Sequence, residues 1–501
     1  MNQDRLYTLL VRTFVYVFAI NAFSYIFADV DLWGHIKFGS DLLTSKSLPL
    51  VDTYSYTAGD YPWINHNWLA EPLFALIYSW AGSSGLLIFK LLVGLAIIHI
   101  LSTLYFAKSG NRLAYALHFL LIAPVLVTGF ATRPQILTYL FTTLLVLILQ
   151  KYFDGNSKAI FWTPLLMAIW VNIHGGIVAG ILIFGTVVVV EFFRRLLTGG
   201  DSIKPLLLVL FASCLALLIN PYGYKLWLFF WETIPKDRPI GEWGPVPLWN
   251  TSFLSLKILV ILFFITLFLP GKKRPWELTI IILGIFYGFR HERHSVITAI
   301  LMTPYLPLRL ADLFESDAFK RWVPKVSART HTAVLWVLAG GILFQAHSHF
   351  YKYKEADFQI QVNPAVYPIY ATRFLDTNRI DGNILILFDW GEYILMKRPA
   401  SKVSIDGRLW TAYPDKVFRD NMLFAEGAEG WEEVLERYPH DIILMNHRNS
   451  GLENAAGWVK IYDDPLARIF IKKTDPPSPV LEKFNRRELI YPKDPVSWTF
   501  P

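Results

Sequence analysis

The chain has 501 residues, 54% of them hydrophobic, 16% aromatic and only 17% charged, with a mean hydropathy of +0.37. A soluble protein of this length would need several cores and far more charge, so the composition indicates a polytopic membrane protein. The net charge of +7 is therefore read as Lys and Arg orienting the loops rather than as a nucleic-acid surface, and the lone Cys214 rules out an intramolecular disulfide.

Apolar runs predict spans at 7–28, 84–106, 113–130, 135–152, 159–172, 176–193, 205–220, 252–269, 276–290, 294–309 and 331–349, about eleven in all. Arg5 and Arg12 flank the first, and its length and the poor cleavage context Ile26-Phe27-Ala28 favour a retained helix over a signal peptide. Basic residues concentrate in alternate loops: Lys108 and Arg112; Lys151 and Lys158; Arg194, Arg195 and Lys204; Lys272, Lys273 and Arg274; then Arg309, Lys320, Arg321, Lys325 and Arg329. These loops are predicted to be cytoplasmic, with the N-terminus on their side and everything after about residue 350 on the outer face. Fusing the spans 159–172 and 176–193 into one helix would reverse every later loop, against this charge pattern. Residues 1–350 thus form the predicted transmembrane domain, 351–475 an outer α/β domain, and 476–501 an extended tail rich in proline (Pro476, Pro477, Pro479, Pro492, Pro495).

The outer ends carry the chemistry. The loop 29–71 opens with Asp29 and Asp31, and ionisable groups at membrane depth tend to mark substrate or ion sites. Capping of a helix over Leu32 to Ser45 is the structural alternative for Asp31. His35 would share a helix face with Asp31. His66 precedes a second surface helix, Trp68 to Ala81, with Glu71 in its first turn, a normal helix start as well as a candidate site. Arg133-Pro134-Gln135 joins two spans, where an arginine either snorkels to headgroups or clamps a phosphate. His174 lies in an Asn172-Ile173-His174-Gly175-Gly176 turn, and Arg290-His291-Glu292-Arg293-His294 is a basic cluster suited to an anion. The outer domain is predicted to have strands near 383–388, 401–405, 441–445, 458–462 and 467–472 and a helix near 430–438. Asp389 and Asp406 each follow a strand; Asp406, next to Gly407, reads as a turn, and Asp389 as a binding candidate.

No Walker loop, GxGxxG, CxxC or GxSxG pattern occurs in the sequence. The order of features resembles the GT-C class of integral membrane glycosyltransferases, which use polyprenyl-phosphate-linked sugars. Most similar is a bacterial branch, distantly like oligosaccharyltransferase and protein mannosyltransferase catalytic subunits. Its Asp-x-Asp-Leu-Trp-x-His and Pro-Trp-x-Asn-His-x-Trp-Leu-x-Glu motifs correspond to Asp29, Asp31, Leu32, Trp33, His35 and to Pro62, Trp63, Asn65, His66, Trp68, Leu69, Glu71. Arg133-Pro134-Gln135, Trp170-x-Asn172-x-His174-Gly175 and Asp389-Trp390-Gly391-x-Tyr393 also look like that branch.

The resemblance implies an α-helical GT-C-like membrane fold in a bacterial cytoplasmic membrane and inverting transfer of a sugar to a lipid, glycan or protein acceptor outside. Asp29 or Asp31 would serve as base. Arg133, Arg290 or Arg293 would hold the leaving phosphate, with His174, Glu71 and Asp389 around the substrate. In place of the arginines, Mn²⁺, Mg²⁺ or Zn²⁺ on Asp31, His35 and His66 is the other option. Two further classes fit parts of the pattern: a flippase of lipid-linked saccharides using Lys90, His99 or His118 in its spans, and a non-catalytic assembly subunit displaying the α/β domain.

Overall fold

The computed structural model describes residues 3–199, 202–234, 236, 241–322, 328–492 and 498–500; Lys325 and Pro495 lie outside them. The chain forms two compact units. One comprises residues 1–25 and 87–358; the other joins residues 26–86 to 359–501. The outer loop thus packs with the C-terminal region rather than with the helices it interrupts in sequence.

The first unit is helical. Helices occupy all eleven apolar stretches, from Gln3–Phe23 to Ala328–Glu355. Among the described residues, however, only five are long and apolar enough to cross a membrane, or six if a bent pair counts as one span. Arg112–Val127, Ala159–Trp170, Lys204–Ala216 and Leu254–Thr266 are shorter apolar helices. Gln3–Phe23 packs between Arg112–Val127 and Ala328–Glu355, and Pro275–Arg290 packs on Ile177–Thr198 and Ser295–Met302. The stretches 159–172 and 176–193 are two helices parted by a turn at 171–176, as the loop charges require. The expected span 294–309 is instead broken, Glu292–Met302 meeting Leu306–Glu315 at 50°, with Pro307 starting the second piece. Lys225–Thr233, unforeseen in the sequence, is a further short helix.

The first span also ends early, at Phe23 rather than residue 28. Residues 26–28 leave the helix because their backbone pairs with another segment: Gln361 donates to the Ile26 carbonyl and accepts from the Ala28 amide, each at 2.8 Å. Asp29 and Asp31 consequently belong to the start of Leu32–Ser45, not to the end of a span. The surface helix expected at 68–81 begins at Ala70 and runs on to Phe106, interrupted where Gly82 takes φ 59°, a value that costs glycine little.

In the second unit a four-stranded sheet is ordered β1 (Ile384–Ile386), β2 (Ile442–Met445), β4 (Arg468–Lys472), β3 (Trp458–Asp463); β1 and β2 are parallel and the other pairs antiparallel. The expected strand at 401–405 is reduced to single bridges from Val403 to Ser55 and Ile384. Phe424, Trp431, Val434 and Leu452 pack on the inward residues Leu385, Ile443, Met445 and Phe470. The helix Glu432–Arg437 agrees with expectation. Immediately after β1 comes the helix Phe388–Lys397, which packs against Leu32–Ser45. The tail is only partly extended: Pro479–Asn485 is helical, and the Phe500 ring packs 4.2 Å from the Trp33 ring, tilted by 32°.

The seating of Phe388–Lys397 depends on Gly391, where a Cβ would stand 2.2 Å from the Ile405 carbonyl oxygen. Gly391→Ala should therefore cost about 1–3 kcal/mol, as overpacking does. Thermal unfolding in detergent checks this, with Gly59→Ala, whose Cβ would meet nothing within 4 Å, expected to match the parent.

Candidate functional site

In the second unit the outer loop and the segments after β1 build an acidic cluster. Asp31 occupies the N-cap position of Leu32–Ser45, but with φ −85° and ψ −12° it is helical rather than extended, and its side chain makes no cap hydrogen bond. Capping therefore does not account for this carboxylate. Asp29 acts on the adjacent backbone, its Oδ1 accepting the Asp31 amide at 3.1 Å. Glu392, on Phe388–Lys397, is 5% exposed, and its Oε2 accepts the Gly34 amide at 3.1 Å. A Cβ on Gly407 would lie 2.8 Å from Glu392 Oε1 and 3.0 Å from Asp31 Oδ1, so the two carboxyl groups stand over the same side of this glycine. Burial, then the charges of Asp31 and Asp406, push the Glu392 carboxyl well above the usual range.

Asp406 anchors the segment bearing Gly407. Arg408 donates to Asp406 Oδ1 at 2.8 Å and Oδ2 at 2.7 Å and to Asp52 Oδ1 at 2.6 Å, and Tyr413 donates to Asp406 Oδ2 at 2.6 Å. The guanidinium also lies 4.6 Å from the Trp63 ring and 5.0 Å from those of Phe38 and Tyr54. Burial opposes the Arg408 charge, yet Asp406, Tyr413 and Asp52 outweigh it and hold its pKa well above the ordinary value. In the same unit, Glu71 sits 3.5 Å from His35 Nδ1 and accepts from Asn65 Nδ2 at 2.6 Å.

Of the expected residues, Asp31, Glu71 and His35 are thus buried or half-buried members of one unit, and Glu71 contributes to the field at Glu392. Asp389, by contrast, is exposed in the first turn of its helix. Its place facing Asp31 is taken by Glu392, one helical turn on. Asp406, read from sequence as a turn, is fully buried. Among the described residues no group of three or more His, Cys, Asp or Glu side chains is arranged to hold a metal ion; as placed, Asp31, His35 and His66 do not fit a divalent cation.

In the first unit, Arg133 Nη1 and Arg293 Nη1 share one carboxylate, at 3.6 Å from Glu242 Oε2 and 3.2 Å from Oε1. Gln135 accepts from Arg293 at 2.9 Å, and the Arg293 guanidinium lies 4.5 Å from the Trp243 ring. Backbone bonds from Val246 to Phe289 and from Glu292 to Gly244 tie this loop to the Arg290–His294 turn. Arg290 is exposed and shares none of these contacts. His174 accepts the Gly176 amide at Nδ1, 2.9 Å, the same atom lying 2.9 Å from Thr138 Oγ1. That places its proton on Nε2 when neutral and gives it a turn-stabilising role. Trp243 and Glu392 carried no signal of their own in the sequence, and Glu242 only its place among the polar residues of the expected outer ends; for Glu392 the nearest signal was position, since it falls inside the Asp389-Trp390-Gly391-x-Tyr393 signature.

No protein-family model and no curated protein matches the chain. Among solved structures it is similar to the oligosaccharyltransferase of Archaeoglobus fulgidus in its apo form. The TM-score is 0.56 at 12% identity, over 93% of this chain and 74% of that one. The two share a fold. It is the GT-C-like arrangement expected above, a set of apolar helices with a further mixed unit.

The raised Glu392 pKa has a sign that can be checked. A carboxyl that titrates higher when folded than its unfolded value of about 4.3 makes the folded state bind more protons in between. Stability is then lost as pH rises from about 4 toward the folded value. Glu392→Gln, which cannot ionise, should unfold close to the parent at pH 4 and a few degrees above it at pH 8. A parent more stable than the variant at pH 8 would contradict the assignment.

Proposed function

We propose that this protein transfers a sugar from a polyprenyl-phosphate-linked donor to an acceptor hydroxyl at the outer face of a membrane. The observation that carries the reading is the Asp31 carboxylate: it caps nothing, is half-buried, and stands with the buried Glu392 beside Gly407. The GT-C-like fold, shared with a protein named an oligosaccharyltransferase, supplies the class of chemistry.

Asp31 accepts the acceptor's proton as its oxygen attacks the anomeric carbon; the new glycosidic bond forms, the bond to phosphate breaks, and the polyprenyl phosphate departs with both electrons. A single direct displacement inverts the anomeric centre. Asp31 is favoured over Asp29 because it is the carboxylate that stands with Glu392 beside Gly407, whereas Asp29 Oδ1 accepts the Asp31 amide. In the first unit, Arg133 and Arg293, converging on one carboxylate, have the spacing to hold two oxygens of a phosphate. No step is assigned to a metal ion.

The flippase reading has less support. Lys90 donates to the Tyr25 carbonyl, His99 meets the Tyr16 hydroxyl at 3.0 Å and His118 the Thr303 hydroxyl at 3.0 Å, so each serves helix packing.

Membranes carrying the protein and a labelled polyprenyl-phosphate sugar should lose transfer by about 10²-fold or more with Asp31→Asn, the usual worth of a general base, and far less with Asp29→Asn. Arg133→Gln and Arg293→Gln should raise the donor KM and weaken kcat, with Lys at either position restoring part of it. Full transfer by Asp31→Asn sinks the proposal.

A further inference from the structure

At the other end of the helix that carries Gln135 lies a groove with a different chemistry. Gln135–Phe153, the loop 154–158 and the helical run Ala159–Trp170 enclose about 380 Å³, within the range of small-molecule sites. Lys151 is sixteen residues beyond Gln135, about 24 Å along the helix axis, so this groove is separate from the Arg133 and Arg293 cluster.

Its lining is graded. Leu144, Leu147, Leu165 and Ile169 form an apolar slot, and Lys151 and Lys158 stand at one end of it. From Leu144 to Lys151 is about 10 Å of helix. Trp162, on the wall, is 64% exposed, the behaviour of an indole at a membrane surface. The connecting loop has one carboxylate, Asp154, and it is engaged elsewhere: Lys108 binds it at 2.7 Å and Arg274 at 2.6 Å. Lys151 and Lys158, both exposed, have no acidic partner among the described residues. An apolar slot closed by two uncompensated cations is complementary to an acyl chain ending in a phosphodiester.

We infer that this groove binds one anionic glycerophospholipid from the bilayer, its acyl chain along Leu144, Leu147, Leu165 and Ile169 and its phosphate on Lys151 and Lys158. The Asn156 side chain, also lining the groove, is a donor for the glycerol ester oxygens. A zwitterionic lipid would set its ammonium against the same two lysines and bind more weakly.

Native mass spectrometry of the full chain released from detergent, titrated with phosphatidylglycerol, phosphatidylcholine or a polyprenyl phosphate, tests this. One phosphatidylglycerol should be retained per chain in preference to phosphatidylcholine. Lys151→Gln with Lys158→Gln should weaken its retention about 30-fold, each lysine near a lipid surface being worth about fivefold. Leu147→Trp, which fills the slot and leaves the charges, should weaken it too, whereas Lys472→Gln with Lys473→Gln, exposed in the second unit, should not. Retention unchanged in the Lys151 and Lys158 double variant, equal binding of phosphatidylcholine, or displacement of phosphatidylglycerol by the polyprenyl phosphate would each overturn it.

Discussion

The arrangement in the second unit depends on one buried cation. Arg408 is held between Asp406, two residues before it, and Asp52, 356 residues away, and its remaining surface lies against aromatic rings rather than water. Its Nη1 has no hydrogen-bond acceptor, so the rings stand in for one. A buried ion network of this kind is a poor source of net stability, since desolvation of the charges consumes most of the attraction. Removing one partner is another matter and typically costs about 3–5 kcal/mol. What the network supplies is register. It fixes the segment 404–409 against the outer loop, and therefore fixes Gly407 beside Asp31 and Glu392.

Once that register is set, the electrostatics of the pair follow. Two carboxyl groups over the same side of one glycine, with the charge of Asp406 also acting on Glu392, do not both ionise cheaply, and the more buried one is pushed up. Glu392 is that one. Gly34 completes the geometry by donating its amide to Glu392; a Cβ there would stand 2.2 Å from the Glu392 Cδ, so only glycine lets the carboxyl come this close to the helix backbone.

How much of this the sequence disclosed varies with the range of the interaction. Local signals served well: the helix Leu32–Ser45 has the expected bounds, and four of the five expected strands form. Hydropathy located the long apolar helices of the first unit, missing short ones such as Lys225–Thr233, but overstated some lengths, because Pro307 and the backbone pairing at 26–28 end runs that composition alone would continue. Long-range pairing was illegible. Asp406-Gly407 looks like a turn because nothing near it in the chain announces Asp52, and Glu392 looks like a surface residue of an amphipathic helix until Leu32–Ser45 is laid against it. Asp389 was the natural choice only on the assumption of a loop after β1; the helix begins there instead, and its one-turn period carries the inward position to Glu392.

The same geometry separates the two aspartates that the motif alone leaves equivalent. A general base must be reachable by substrate and must have an oxygen not already committed to the backbone. Asp29 fails the second condition, since its oxygen tethers the Asp31 amide and so helps set the entry of the chain into Leu32–Ser45. Glu392 fails the first, being buried and bonded to Gly34. Asp31 is half-buried, with helical dihedrals and no cap hydrogen bond to the helix it opens. The three acids thus differ by environment: Asp29 orients the entry of the chain into the helix, Glu392 is buried with its carboxyl pushed above the usual range, and Asp31 is the half-buried group to which the proposed reaction gives the acceptor's proton.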